Sequence, residues 1–409
     1  MENEKRERSH IKIVVIVFFV ALFCAIGTAL VLNWNNWFGG SGKPQMSLSD
    51  VASGTYIVNI NEESHTYNAK YIIDGVEVKV PTGEYVSDQK DEVVFLVVNG
   101  GSLIVDGATL KKNGDEFYAD EEKYSVFGEN SLVVVAGKDS SASFSNADIS
   151  INASGANAFM AFDGGHIDTE NNKISISNGY SSGFVAGKSG EITVKNNSIS
   201  IKEKEGGASI VGSKAFAAVD ASSKIDVSGG SVESYANFIA PAIYAGGEVI
   251  INGSLISVES SPLAMLGGSG RIVLNGGEYT TKSPVEYAIS QDANYPFNYS
   301  KGFGQMFSAS VIFMGGTPSF VSNNAKLTQE SYSMPSSESD SKWLAAYFVA
   351  DNAKANIELN DTTVMMNDSS SLKFVGAVNS GAINISAPDL KINRAKDYSA
   401  DDSSSVTGL

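Results

Sequence analysis

The segment from Glu191 to Ile201 reads EITVKNNSISI, and the chain repeats its pattern. HIDTENNKISI fills 166–176, KIDVSGGSVES fills 224–234 and RIVLNGGEYTT fills 271–281. Each is two short β-type runs joined by a polar or glycine pair. Aligned on their first apolar residue, the copies fall at Ile167, Ile192, Ile225, Val249 and Ile272, in steps of 25, 33, 24 and 23. SASFSNADISI (141–151) aligns 25 residues before Ile167, and SLIVDGATLKK (102–112) fits earlier still. NIELNDTTVMM (356–366) and AINISAPDLKI (382–392) align on Ile357 and Ile383. A near-constant period of this size marks stacked units that bury their apolar faces only against one another.

A second element precedes each copy at a steady distance. AFMAFDGG, GFVAGKSG, AFAAVDAS, AIYAGGE, LAMLGGSG, YFVADNAK and KFVGAVNS are short apolar runs closing in small residues. A unit is therefore three short strands in about 24 residues, with no amphipathic helical pattern between them. The physical solution is an all-β parallel β-helix, in which each strand bonds to the same strand of the next coil. Ile192, Val194, Ile199 and Ile201 then point inward and stack on Ile167, Ile174 and Ile176 of the neighbouring coil. The NN, GG, NG and DG pairs fall at the corners, where left-handed backbone suits Gly and Asn. A β-sandwich also alternates, but it keeps no such register along the chain.

These features resemble the right-handed parallel β-helix of the pectate-lyase-like superfamily, particularly its bacterial surface and adhesin-like members. The resemblance spans about residues 95–395 and speaks to fold more than to activity. Around it, residues 50–100 form a capping β region, 101–395 the β-helix with an irregular insertion at 282–345, and 396–409 a disordered tail.

Ile13 to Leu32 is twenty residues without a charge, long enough as a helix to cross a bilayer. Trp34, Trp37 and Phe38 follow it as an interfacial belt, and basic residues precede it. The expected arrangement is a cytoplasmic N-terminus (1–12), one transmembrane helix (13–32), a linker (33–49) and everything beyond outside the cell. A cleaved signal peptide fits less well, because the apolar run is too long and ends in Asn-Trp-Asn-Asn-Trp.

Composition limits the function. The net charge is −17. The first twelve residues hold four basic and three acidic side chains, so the remainder carries −18. Such a surface repels nucleic acid. One cysteine, Cys24 in the apolar run, excludes a disulfide framework and a thiolate metal site. There is no P-loop, dinucleotide fingerprint or G-x-S-x-G elbow.

Two sets of residues are candidate sites. Tyr287, Tyr295, Phe297, Tyr299, Phe303 and Phe307 lie within 21 residues beside Asn294, Asn298 and Gln305, a pairing suited to stacking on sugar rings. Packing of that loop onto the solenoid is the competing reading. Asp163, Lys188 and Asp220 occupy similar corners in successive coils, and Asp168 and Asp226 recur one strand later. The resemblance implies what such a column could do: hydrolases of this fold pair Asp residues, and lyases use Arg or Lys with carboxylates holding calcium. An alternating-charge ladder at a solvated corner explains the same residues without chemistry. No catalytic set and no cofactor is expected, calcium being the one cation such a column would take. The expected function is a membrane-anchored, non-catalytic surface protein for adhesion or polysaccharide binding, with a carbohydrate-active enzyme as the alternative.

Overall fold

The structure, a computed structural model, describes residues 43–60, 63–113, 128, 130–202, 213–235, 241–284, 286–287, 306–332, 343–369 and 371–409. The proposed membrane segment at 13–32 lies outside the described residues. No helix among the described residues is long and apolar enough to cross a membrane.

The described strands of residues 45–409 form three sheets. Sheet A runs through thirteen strands from Gln45–Met46 to Ser405–Thr407, and sheet C through eleven from Glu84–Ser87 to Lys391–Ile392. Sheet B runs through fourteen, from Ala52–Ile60 to Tyr398–Ala400. The chain visits them in the order B, A, C, as in Asn157–Phe162, His166–Glu170 and Lys173–Ile176. Among the described residues, strand pairing is parallel apart from the N-terminal hairpin of Ala52–Ile60 with Glu63–Asp74 and the short pair of Glu286–Tyr287 with Met306–Met314. This is the strand arrangement of a β-helix, and it follows from a simple constraint. A strand with one apolar face and no helix to cover it must stack on its own copy.

The pairing register agrees with the repeat. Ile167 lies opposite Ile192, Ile192 opposite Ile225, Ile225 opposite Val249, and Val249 opposite Ile272. Ile174 and Ile176 pair with Ile199 and Ile201. One alignment needs correction: Ile357 pairs with Ile385, and Ile383 with Ala355. Lys354–Asn360 alternates over seven residues, so a two-residue slip keeps the same face inward and sequence pattern cannot distinguish the two registers.

Three other boundaries differ from expectation. Glu77–Val80, Glu84–Ser87 and Glu92–Val98 already belong to the parallel sheets, so only the hairpin before them has a cap's antiparallel pairing. Within 282–345, the strands Met306–Met314, Ser319–Asn323 and Lys326–Gln329 complete a coil in register. The tail is not structureless, because Tyr398–Ala400 and Ser405–Thr407 pair with the coil before them. Its serine-rich, acidic composition hid strands only three residues long.

The interior holds a continuous apolar core. On sheet B, Phe159, Phe184 and Phe216 stack coil upon coil, with ring centroids 5.2 and 5.7 Å apart. The corner from sheet A to sheet C uses two residues. The first is left-handed: Asn171 (φ 56), Asn196 (φ 51) and Gly229 (φ 65). The second faces inward, and in two coils it is a buried asparagine. Asn172 accepts at 2.8 Å from the Ala147 N–H, and Asn197 accepts at 2.7 Å from the Asn172 N–H. In the next coil this position is Gly230, where a Cβ would sit 2.2 Å from the Asn197 carbonyl oxygen. On the outer face, four further asparagines form a ladder. Asn275 donates to Asn252 at 2.9 Å, Asn323 to Asn275 at 2.8 Å, and Asn360 to Asn323 at 2.9 Å.

Candidate functional site

The corner from sheet B to sheet A carries the charged column, and its geometry decides what those residues do. In several coils the turn places two successive residues in the left-handed region. The pairs are Asn99–Gly100 (φ 52 and 75), Asp163–Gly164 (53 and 79), Lys188–Ser189 (45 and 64) and Asn379–Ser380 (53 and 66). Two of these pairs contain no glycine, and left-handed backbone is costly there. Both have the same companion in the next coil.

Asp220 takes the backbone N–H of Lys188 on one carboxylate oxygen. Its other oxygen accepts from the Ser222 N–H at 2.9 Å and the Ser222 hydroxyl at 2.6 Å. The Ser222 hydroxyl in turn accepts from the Ser189 N–H at 2.8 Å. Asp401 repeats the arrangement. It accepts from the Asn379 N–H at 2.7 Å, the Ser403 N–H at 3.0 Å and the Ser403 hydroxyl at 2.8 Å. Ser403 Oγ accepts from the Ser380 N–H at 2.9 Å. The four-residue phrase Asp-x-Ser-Ser, at 220–223 and 401–404, is thus a clip that holds the strained turn one coil below. The Asp401 carboxyl is held down at about 2, first by the neighbouring Ser404 hydroxyl and then by the Asn379 N–H and Ser403. The neighbouring Asp351 is pushed up, first by burial, although the Asn379 side chain donates to it at 2.8 Å.

Asp163 is itself a left-handed turn residue. The structure therefore brings Lys188 and Asp220 together through a main-chain N–H and a carboxylate. Sequence reasoning noticed the alignment but missed Ser222, whose hydroxyl completes the clip; the repeated D-x-S-S phrase was the available signal.

On the outer face of sheet A the titratable groups form a ladder of ion pairs. His166 Nε2 lies 3.1 Å from Asp168, Lys224 2.9 Å from Asp226, and Arg271 2.6 Å from Glu248. Asp168 and Asp226 stand in one register column, separated by Thr193. The Lys224 ammonium is held above its ordinary value, first by its hydrogen bond to Asp226. No group of three or more His, Cys, Asp or Glu among the described residues could hold a metal ion.

Of the aromatic set, Tyr295, Phe297, Tyr299 and Phe303 lie outside the described residues. Tyr287 pairs its backbone with Met306. Phe307 is fully buried, packed with Ala309 and Leu344, and has no surface to offer a sugar.

Sheet B also holds a feature that alternation arguments overlook. Its strands are apolar on both faces. The outward row, including Leu96, Val134, Met160, Val185 and Ile312, is as buried as the inward one and forms a second apolar cluster. Unbroken apolar runs such as AFMAF are the mark of parallel strands covered on both sides. The long connections, 113–132, 202–213, 283–305 and 330–342, all join sheet C to sheet B.

No protein-family model matches the chain, and no curated protein matches it. Among solved structures it is similar to the crystal structure of a TibC-catalyzed hyper-glycosylated TibA fragment. The identity is 11%, the TM-score 0.25, and the match covers 89% of this chain and 98% of that one. A likeness of that degree carries no argument about function.

Proposed function

We propose that this chain is a non-catalytic binding protein of a bacterial cell surface, taking polysaccharide or another cell-surface glycan. In this reading residues 13–32 span the membrane once, the N-terminus is cytoplasmic, and the solenoid stands outside as a right-handed, pectate-lyase-like β-helix of about 24-residue coils. The observation that carries it is the commitment of the Asp220 carboxylate, whose oxygens accept two main-chain N–H groups and a hydroxyl. A general acid or base needs an oxygen free for the substrate. What remains for recognition is extended surface: outward side chains of sheets A and C repeat from coil to coil at the strand spacing of about 4.8 Å, which suits a polymer better than a small molecule.

The enzyme reading rests on one observation, the opposed shifts of Asp351 and Asp401, since such asymmetry separates an acid from a base. One experiment distinguishes the two. The fragment from residue 44 is applied to a glycan array with and without calcium, and each hit is assayed for new reducing ends. Binding without product supports the proposal; product that disappears in Asp351→Asn establishes the enzyme. If a Tyr295→Ala/Phe297→Ala/Tyr299→Ala variant binds as well as the parent, the aromatic segment is not the site.

A further inference from the structure

The antiparallel hairpin closes the parallel stack, but it does not close sheet B. Ala52–Ile60 pairs on one side with Glu63–Asp74 and is the terminal strand of that sheet. A strand sends the N–H and C=O groups of alternate residues to opposite sides. Half of those on Ala52–Ile60 therefore face an edge with no strand of the described residues beyond it. Folded proteins keep such edges short, charged or kinked, because a bare edge templates pairing with another chain. The other sheet ends follow that rule. Gln45–Met46 and Lys391–Ile392 have two residues each, Tyr398–Ala400 and Ser405–Thr407 three, and Glu84–Ser87 is four residues opening on a glutamate. Ala52–Ile60 runs for nine residues, ASGTYIVNI, without a charge or a proline. Its one irregularity lies at Ala52/Gly54, which leaves the stretch from Thr55 onward in plain register.

The two faces of this strand differ. Tyr56 and Val58 pack against the second apolar cluster. Tyr56 is fixed there by donating its hydroxyl to Asp74 at 3.0 Å and accepting from Asn99 at 2.8 Å. Thr55, Ile57 and Asn59 lie on the opposite face and are exposed, Ile57 by 58%. A strand added at this edge gains apolar contact as well as main-chain hydrogen bonds.

We propose that Ala52–Ile60 pairs antiparallel with the same strand of a second copy of this chain, about a two-fold axis through Ile57. The sequence is self-complementary in that register. Ile57 stands opposite its own copy, Tyr56 opposite Val58 of the second copy, and Thr55 opposite Asn59 of the second copy. Aromatic with β-branched and polar with polar are favourable cross-strand pairs, and no charge meets its like. Moving the axis to Tyr56 or Val58 sets Ile57 opposite Thr55 or Asn59 and leaves the isoleucine without an apolar partner. The chain's net charge of −17 opposes approach at long range, so pairing should strengthen as salt screens it. One strand pair is a small interface that forms and separates readily, which makes covalent trapping the first readout.

The test is disulfide trapping in the full chain carrying Cys24→Ser, held in detergent because of its apolar segment at 13–32. Residues directly opposite in an antiparallel pair bring their Cβ atoms within about 4.5–5.5 Å, close to what a disulfide spans. Under oxidation, Ile57→Cys should give a covalent dimer, with a higher yield at high salt. Thr55→Cys alone should not, and neither should Ser143→Cys on sheet A, whereas Thr55→Cys combined with Asn59→Cys should. Sedimentation of the chain without introduced cysteines follows the free equilibrium. Ile57→Lys, which sets two like charges opposite each other, should weaken it by about tenfold or more. Cross-linking of Ile57→Cys no better than that of Ser143→Cys overturns the proposal. A dimer of unchanged strength in Ile57→Lys also overturns it, because the contact then lies elsewhere. So does protection of every amide from Thr55 to Asn59 in a monomeric sample, which gives the edge to this chain's own residues.

Discussion

Replacing Asp220 by alanine tests whether the charged column is chemistry or architecture. The carboxylate is half-buried and holds the Lys188 N–H, the Ser222 N–H and the Ser222 hydroxyl. Ser222 is exposed, so water substitutes for the bonds that Asp220 makes to it at little cost. The Lys188 N–H is the group at risk, because it belongs to a turn whose two residues are both left-handed and neither of which is glycine. Losing a capping carboxylate from a main-chain N–H costs about 0.5–2 kcal/mol, and the strained turn places this site in the upper part of that range, about 1–2 kcal/mol. Free energy of that size is roughly a 5- to 30-fold change in an opening equilibrium. Global melting is a poor reporter of one turn, because it averages over the whole stack of coils. Amide hydrogen exchange resolves the turn itself. We expect exchange at Lys188 and Ser189 to quicken by about tenfold in Asp220→Ala. It should recover in part in Asp220→Asn, which keeps an acceptor oxygen, and stay unchanged at the Asp163–Gly164 turn. Unaltered protection at Lys188 would refute the clip. If the variant instead loses glycan-dependent activity while exchange is unchanged, the catalytic column is the correct reading.

Four further outcomes follow from the packing and the titrating groups. The buried Lys112 ammonium is depressed from 10.5 to about 8, first by burial. The unfolded chain therefore binds the extra proton between those values, and stability should rise with pH from about 8 to 10.5, by up to ~3 kcal/mol. Denaturant titrations across that window should show the rise and lose it in Lys112→Met. Asp401, held at about 2, gives a slope of the same sign at the acid end: its contribution is complete above the ordinary carboxylate range and fades as pH falls toward 2. Exchange at Asn379 and Ser380 on acidification reports it. Phe184→Ala removes the middle ring of a three-ring stack and should cost about 3–5 kcal/mol in denaturant titration. Asn275→Ala breaks two rungs of the asparagine ladder and should cost about 1–2 kcal/mol by the same measurement.

The fold was legible because its signal is redundant. Ile167, Ile192, Ile225, Val249 and Ile272 repeat one position, and each pairing constrains the next. Where the redundancy thins, the reading slips. Ile357 and Ile383 have only one repeat to compare, and alternation is blind to a shift of two. Tyr398–Ala400 lacks apolar alternation, and its strand is held by pairing to Val375, Gly376 and Ala377. The site was less legible for a different reason. Asp163, Lys188 and Asp220 align in the repeat whether they bind a ligand or brace a turn, and only the direction of the Lys188 N–H separates these uses. Phe307 looked like its aromatic neighbours, yet it lies on a strand that continues sheet B, where both faces are covered.

That contrast between sheets narrows where a partner can engage the described solenoid. Sheet B presents an apolar row outward that is already buried, and that row offers a ligand neither charge nor hydrogen bonds. The corners leading to sheet A are closed by clips whose oxygens are occupied. Sheets A and C retain the exposed polar rows. Sheet A carries charged side chains on its outer face, among them the His166–Asp168, Lys224–Asp226 and Arg271–Glu248 pairs. Sheet C also carries ion pairs, such as Lys202 with Glu233 and Lys326 with Glu278, but Ser150, Ser175 and Ser200 stand in one register column, and Ser257, Thr280 and Thr328 continue it beyond Glu233. Hydroxyls can donate and accept without the desolvation cost of a charge, which is what contact with a hydroxyl-rich polymer requires. If the chain binds glycan through its described residues, lysine substitutions along Ser175, Ser200 and Ser257 should abolish array binding. The same substitutions at Ser143 and Thr193 on sheet A should leave it intact, and the reverse pattern would move the binding face to the charged ladder.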